Sequence, residues 1–219
     1  MLNESVLSDD SAAKKFRLVG GNLSLDFCNT VGGKREGTVR ENLHTYCHFL
    51  SWCEQAGLVD KLQSQRLKEK VSLHPDEGVA VLGRALALRE SIYRIFLRIA
   101  KGGEAPKADL AVVNSELAKA LGRLRVASSD HDKFFSWQWS KELMELDHPL
   151  GPISHSAAGL LVSSGDLPNV RQCSGNNCGW LFLDSSRNHS RCWCDMRDCG
   201  NRAKVRRHRH KQKREDAAQ

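Results

Sequence analysis

The sequence predicts an α+β protein: a mainly helical N-terminal domain with short β-hairpins, followed by a small C-terminal module held together by cysteines. Three observations carry the prediction. Apolar residues recur at three- and four-residue spacing through much of residues 41–121, the period of helices that bury one face. Short alternating runs flank turn-forming residues near positions 20 and 130, the pattern of hairpins. Five of the eight cysteines fall between residues 173 and 199.

Taken in order, Phe16–Phe27 reads as two short strands around Gly20, Gly21 and Asn22, residues that tolerate the positive φ of a tight turn. Leu23, Leu25 and Phe27 alternate with Ser24 and Asp26, so one face should be buried. A glycine-rich loop follows, Thr30 to Gly37. From Glu41 the spacing turns helical through Leu43, Cys47, Leu50 and Cys53, with Gly57 as a stop. A second helix is expected over 61–73, ending before Pro75. Residues 77–100 carry the longest stripe, Val81, Ala85, Leu88, Ile92, Phe96 and Ile99. Pro106 opens another helix with Leu110, Val113, Leu117 and Leu121 on one face. Leu124–Ala127 and Phe134–Trp139 form a second predicted hairpin, in which Trp137 and Trp139 share a face and read as core. Ile153–Val162 reads as a short helix. The polar break Ser163–Pro168 sets the expected boundary, giving domains 1–168 and 169–219.

No run approaches the roughly 18 apolar residues of a membrane span, and Met1–Ala13 lacks the basic start and apolar core of a secretion signal. The cytoplasm is the expected compartment, where clustered cysteines point to metal rather than disulfides. The net charge of +7 is unevenly placed: the first 170 residues balance 21 Lys and Arg against 21 acids, whereas residues 171–214 carry 12 against three. Such asymmetry assigns a polyanionic partner to the C-terminal fifth alone.

Cys173 and Cys178 form a Cys-x4-Cys pair, and Cys194 and Cys199 form a second one 15 residues later. Zinc takes four thiolate or imidazole donors at tetrahedral corners, and two short loops of this length each supply a pair. Cys192 and His189 compete for places in the set; Cys194 is favoured over Cys192 because it repeats the first spacing. Gly179–Asp184 reads as a strand with Arg191–Cys194 as its hairpin partner, and a helix follows Cys199. A knuckle, a hairpin and a helix whose first turn carries a ligand make a treble-clef-like zinc finger. Four sulfurs close the coordination sphere, so the expected cofactor is one structural Zn2+ per chain.

Cys199-Gly200-Asn201-Arg202 spells the signature of the CGNR zinc finger, and Cys178–Asn188 with Trp193–Met196 resembles the rest of that pattern. Leu18–Thr30, with Trp52 and Gly57-Leu58, resembles the ABATE domain that typically precedes it. The resemblance implies a stress-linked transcription regulator whose Cys173, Cys178, Cys194 and Cys199 hold zinc. Cys192 departs from it, standing where an arginine is expected before the tryptophan.

After Cys199 the chain reads RAKVRRHRHKQKR from Arg202, with only Ala203 and Val205 apolar. Such a helix has no stripe with which to pack on its own protein, so its partner should be anionic. Arg202, Lys204, Arg206, Arg207, Arg209, Lys211, Lys213 and Arg214 are the candidate phosphate and base contacts. DNA is the expected partner; an RNA- or ribosome-associated protein and a protein-interaction adaptor are the alternatives, and a homodimer is open. In the larger domain Asp26, Asn29, Thr30 and Arg40 form a candidate site for a small-molecule effector at a strand end beside the glycine loop. His44 and His48, four apart, are a weak second metal pair. No catalytic triad order, phosphate-binding glycine loop or paired-carboxylate pattern stands out, so no enzyme activity is expected.

Overall fold

The computed structural model describes residues 15–128, 134–140 and 144–216; the Lys211 side chain also lies outside the described set. In chain order the elements are α1 Leu23–Cys28, α2 Tyr46–Gln55, α3 Lys61–Leu73, α4 Pro75–Ala100, α5 Lys107–Leu121, β1 Leu124–Ser128, β2 Phe135–Trp139, α6 Leu150–Val162, β3 Val170–Gln172, β4 Leu181–Leu183 and α7 Asn201–Asp216. The protein is thus helical with two small antiparallel hairpins, β1–β2 and β3–β4. No helix among the described residues is long and apolar enough to cross a membrane.

Local sequence explains the helix ends. Asp60 and Gln63 form a reciprocal capping box at the start of α3, and Thr45 accepts the His48 amide at the start of α2, each satisfying backbone donors left open by the first turn. Pro75 stands in the first turn of α4, with Asp76 and Glu77 beside it at the positive end of the helix dipole.

The buried stripe Val81, Ala85, Leu88, Ile92 and Phe96 makes α4 the axis of the core, and α1, α2, α3, α5, α6 and β3 pack around it. Phe27, Phe49 and Trp52 fill one end, with Phe27 and Trp52 ring centroids 4.9 Å apart. Emptying such a site with Trp52→Ala should cost about 3–5 kcal/mol. Arg89, only 3% exposed, donates to both oxygens of Glu41 at 2.8 and 2.6 Å and to Thr30 Oγ1 at 3.2 Å. Burial opposes ionisation of Glu41, but the Arg89 hydrogen bonds prevail and hold its carboxyl at about 2.

Three local expectations are corrected. Phe16–Phe27 is not a hairpin: Leu23–Cys28 is helical, with the Asn22 side chain capping the Ser24 amide at 3.0 Å. Ser24, Leu25, Phe27 and Cys28 are all buried; with burial nearly all round, the apparent alternation carried no information on period. The helix expected from Glu41 starts at Tyr46, because Glu41 Oε1 instead accepts the amides of Asn42 and Leu43 and holds them outside a helix. Trp137 is not core; it is 64% exposed on β2.

A short 3-10 turn, Leu167–Asn169, leads into β3. Beyond it the chain re-enters the main core, since Val170 and Leu181 belong to the same buried cluster as Leu88 and Phe96. A second cluster gathers Cys173, Cys178, Phe182, Cys194 and Cys199, with Val19, Trp180 and Trp193 packed against it.

Candidate zinc centre and nucleic-acid interface

The zinc centre is built on the β3–β4 hairpin. Val170 pairs with Leu183, Arg171 with Phe182 and Gln172 with Leu181, so the loop joining the strands is the Cys173–Cys178 knuckle. This corrects the expected pairing of Gly179–Asp184 with Arg191–Cys194. The latter segment returns without forming a strand, tied by the Ser174 amide to the Cys192 carbonyl at 2.9 Å. The Arg191 guanidinium lies 4.4 Å from the Phe182 ring centroid and donates to the carbonyls of Val19, Trp193 and Cys194. One arginine therefore does the work that a ladder would otherwise do. Cys199 sits in a π-helical turn, Met196–Gly200, in which the Arg197 amide is capped by the Asp195 side chain and which runs directly into α7.

The Sγ atoms of Cys173, Cys178, Cys194 and Cys199 lie within 4.8 Å of one another and all four residues are buried. The Cys178–Cys194 and Cys194–Cys199 sulfur pairs are each 3.7 Å apart. A tetrahedron with Zn–S bonds of about 2.3 Å has edges of about 3.8 Å. The donor set therefore fits one structural zinc, with no position left open for water. Cys192 is exposed, which resolves the choice in favour of Cys194. His189 is spent elsewhere, its Nδ1 2.9 Å from the Asp184 carbonyl. His44 and His48 belong to no metal-competent group of three among the described residues.

The surroundings favour thiolates. Amides of Gly175 and Cys194 donate to Cys173 Sγ at 3.4 and 3.3 Å, and Arg202 donates to Cys199 Sγ at 3.2 Å. Hydrogen bonds from the Cys178 and Cys194 thiols hold Cys173 at about 2, and the same negative neighbour pushes Cys178 up to about 12. Thiolates crowded this closely raise one another's cost of ionisation, and a divalent cation at the centre removes that conflict.

The module is sewn to the larger domain by groups from the N-terminal segment. The buried Asn29 side chain accepts the Leu181 amide at 2.9 Å and donates to its carbonyl at 2.8 Å, standing in for a neighbouring strand. Trp180 Nε1 donates to the Val31 carbonyl at 2.8 Å. The Leu183 amide donates to the Gly20 carbonyl at 2.7 Å. Gly179 donates to the Gly33 carbonyl at 3.1 Å, and a Cβ at Gly179 would come within 2.8 Å of that oxygen, so the contact requires glycine. Arg17 pairs with Asp195, and with Asp198 at 2.7 Å.

These contacts decide where the expected effector residues stand. Asn29 is a hydrogen-bonding bracket, and Thr30 donates to Phe27 and accepts from Arg89. Asp26 accepts the Gly20 amide at 2.7 Å, and burial pushes its carboxyl up to about 6. Of the four, Arg40 lines a cleft of about 330 Å3 between the glycine loop and the zinc module. Its other walls include Arg17, Thr38, Asn177, Trp180 and Arg202. Asn177 and Trp180 carry no signal for this role in the sequence, because the cleft exists only once the two parts meet.

A carboxyl whose folded pKa is raised weakens the fold as pH climbs from its ordinary value, 3.8, to about 6. Asp26→Asn keeps an acceptor for the Gly20 amide and removes the buried charge. The variant should therefore melt no lower than the parent at pH 7, and its advantage should vanish below pH 3.8, as thermal melts across that range will show.

α7 stands apart from everything described above. Asn201, Arg202 and all residues from Lys204 to Asp216 with a described side chain are exposed, and only Ala203 is half-buried. Its one substantial packing partner is the π turn that carries Cys199. Arg202 is fixed at the start by Asp198, at 3.0 Å, and by the Cys199 sulfur.

A helical domain whose core takes in a cysteine-cornered hairpin, and from which one basic helix projects, defines a zinc-stabilised two-part protein. The chain belongs to the ABATE family, described as "Putative stress-induced transcription regulator", whose model matches residues 21–164. The CGNR zinc finger model matches residues 169–212. No curated protein matches the chain.

Proposed function

We propose that this protein is a zinc-dependent, DNA-binding transcription regulator that inserts α7 into a groove of the duplex. The observation that carries the reading is the placement of charge on a helix whose origin is fixed by a zinc ligand. At about 100° per residue, Arg202, Arg206, Arg209 and Lys213 fall within roughly 60° of one another, while Lys204, Arg207 and Arg214 occupy the opposite side. Cations on two opposed faces suit a helix lying between two phosphate walls better than one lying flat on a surface. The major groove, roughly 12 Å wide, admits such a helix.

A chain ending at Gly200 retains every cysteine ligand and the core hairpin and lacks only the helix, so its failure to bind a labelled duplex is the test. Full affinity without α7 would refute the reading. Regulation by a small organic anion is supported by the cleft at Arg40, since ligand sites favour junctions between domains. In thermal-shift assays with small carboxylates and phosphates, Arg40→Ala should abolish the shift that Asp26→Asn retains. The reverse pattern would return the site to the Asp26 turn.

A further inference from the structure

We infer that the β1–β2 hairpin is the surface on which a second copy of this chain docks. Among the described residues, the hairpin is anchored at its base. Trp139 lies against α6, where a Cβ at Gly151 would come within 2.9 Å of its ring, and meets His155 edge-on at 5.9 Å. The Ser140 amide donates to the Arg123 carbonyl at 2.8 Å. Further out the same face is bare. Val126 and Trp137 are cross-strand partners, and Val126, Phe135 and Trp137 are 58, 76 and 64% exposed, with the adjoining Phe134 at 76%.

A two-stranded sheet alone is marginal in water, and an aromatic face turned to solvent gives up the burial that would stabilise it. A fully buried aromatic side chain contributes roughly 150–250 Å2. At these exposures Val126, Phe135 and Trp137, which share the face, uncover on the order of 400 Å2, within the range at which an apolar patch marks an interaction site. Two such patches facing each other hide on the order of 800 Å2, and with a polar rim they reach the lower end of the roughly 1,200–2,000 Å2 of a stable interface.

The character of the strand selects a second copy as the occupant. β2, Phe135–Trp139, carries no charge and no proline, the devices that keep free edges apart, and its outer edge has no strand partner among the described residues. In an isologous contact each residue meets the same surface of its twin, so an uncharged aromatic stripe sets no like charges against each other.

Sedimentation equilibrium of the zinc-loaded chain tests the inference. The expected mass is twice 24.5 kDa at micromolar concentration. Phe135→Ser with Trp137→Ser should raise the dimer dissociation constant at least a hundredfold with zinc content and circular dichroism unchanged. Hydrogen exchange of the parent protein serves if that variant fails to fold, because the amides of 124–128 and 135–139 should gain protection as concentration rises. A parent that stays monomeric, including one that instead sediments with vesicles or with another protein, overturns the inference. So does a dimer whose exchange protection lies elsewhere.

Discussion

Removing zinc, by chelation or by Cys173→Ser, will destabilise the whole chain rather than release a loose tail. Structural zinc contributes on the order of 10 kcal/mol or more to small cysteine modules, more than a typical domain's entire stability can spare. Here the loss propagates. The strands that the Cys173–Cys178 knuckle joins place Val170 and Leu181 in the main core, and Asn29, Val31 and Gly20 spend their hydrogen bonds on the same hairpin and its flanking Trp180. If the hairpin opens, the Asn29 amide is left buried without partners, a further cost of about 1–3 kcal/mol. Metal analysis with thermal melts should show Cys173→Ser and Cys199→Ser losing zinc and melting well below the parent. Cys192→Ser should keep both metal and melting temperature, since that thiol is exposed. A zinc-free protein that melts with the parent would break the link between module and core.

On the proposed function, the charge on α7 dominates affinity for DNA, and neutralising one cation on each of its two faces tests whether both meet phosphate. Arg206 belongs with Arg202 on the face that begins beside the knuckle, where Gly175–Asn177 and Arg206 wall a small pocket of about 150 Å3. Arg207 points the other way. About six phosphate contacts imply a loss on the order of a thousandfold in affinity between 50 and 200 mM salt. Arg206→Ala with Arg207→Ala should weaken every duplex similarly and flatten the salt dependence if both meet phosphate. If either reads a base edge, the variant should also lose about 1–3 kcal/mol of discrimination at one position. Competition titrations with mismatched duplexes separate the two.

The long helices were legible because apolar residues recur at helical spacing over many turns, as Val81, Ala85, Leu88, Ile92 and Phe96 do in α4, even though Arg89, Ser91, Tyr93 and Ile95 between them are buried as well. The zinc ligands were legible because coordination chemistry restricts both residue type and spacing, and the one ambiguity, Cys192 against Cys194, was settled by exposure. Alternation misled at Leu23–Phe27, where a six-residue helix buried on most sides offers no contrast between faces. It misled again at Trp137, because an apolar stripe announces that something covers it without saying whether the cover is the same chain. The β3–β4 pairing was hidden for a third reason. Its partner strand precedes the first cysteine, and what fixes the register includes the Asn29 side chain, 152 residues away in sequence from Leu181.

The salt dependence of duplex binding by the zinc-loaded chain tests the central claim most directly. Affinity should fall linearly on logarithmic axes, with a slope near −5 for about six neutralised phosphates. The chain ending at Gly200 should show no measurable binding at any salt concentration. Binding that ignores salt, or that survives without residues 201–219, would contradict the account.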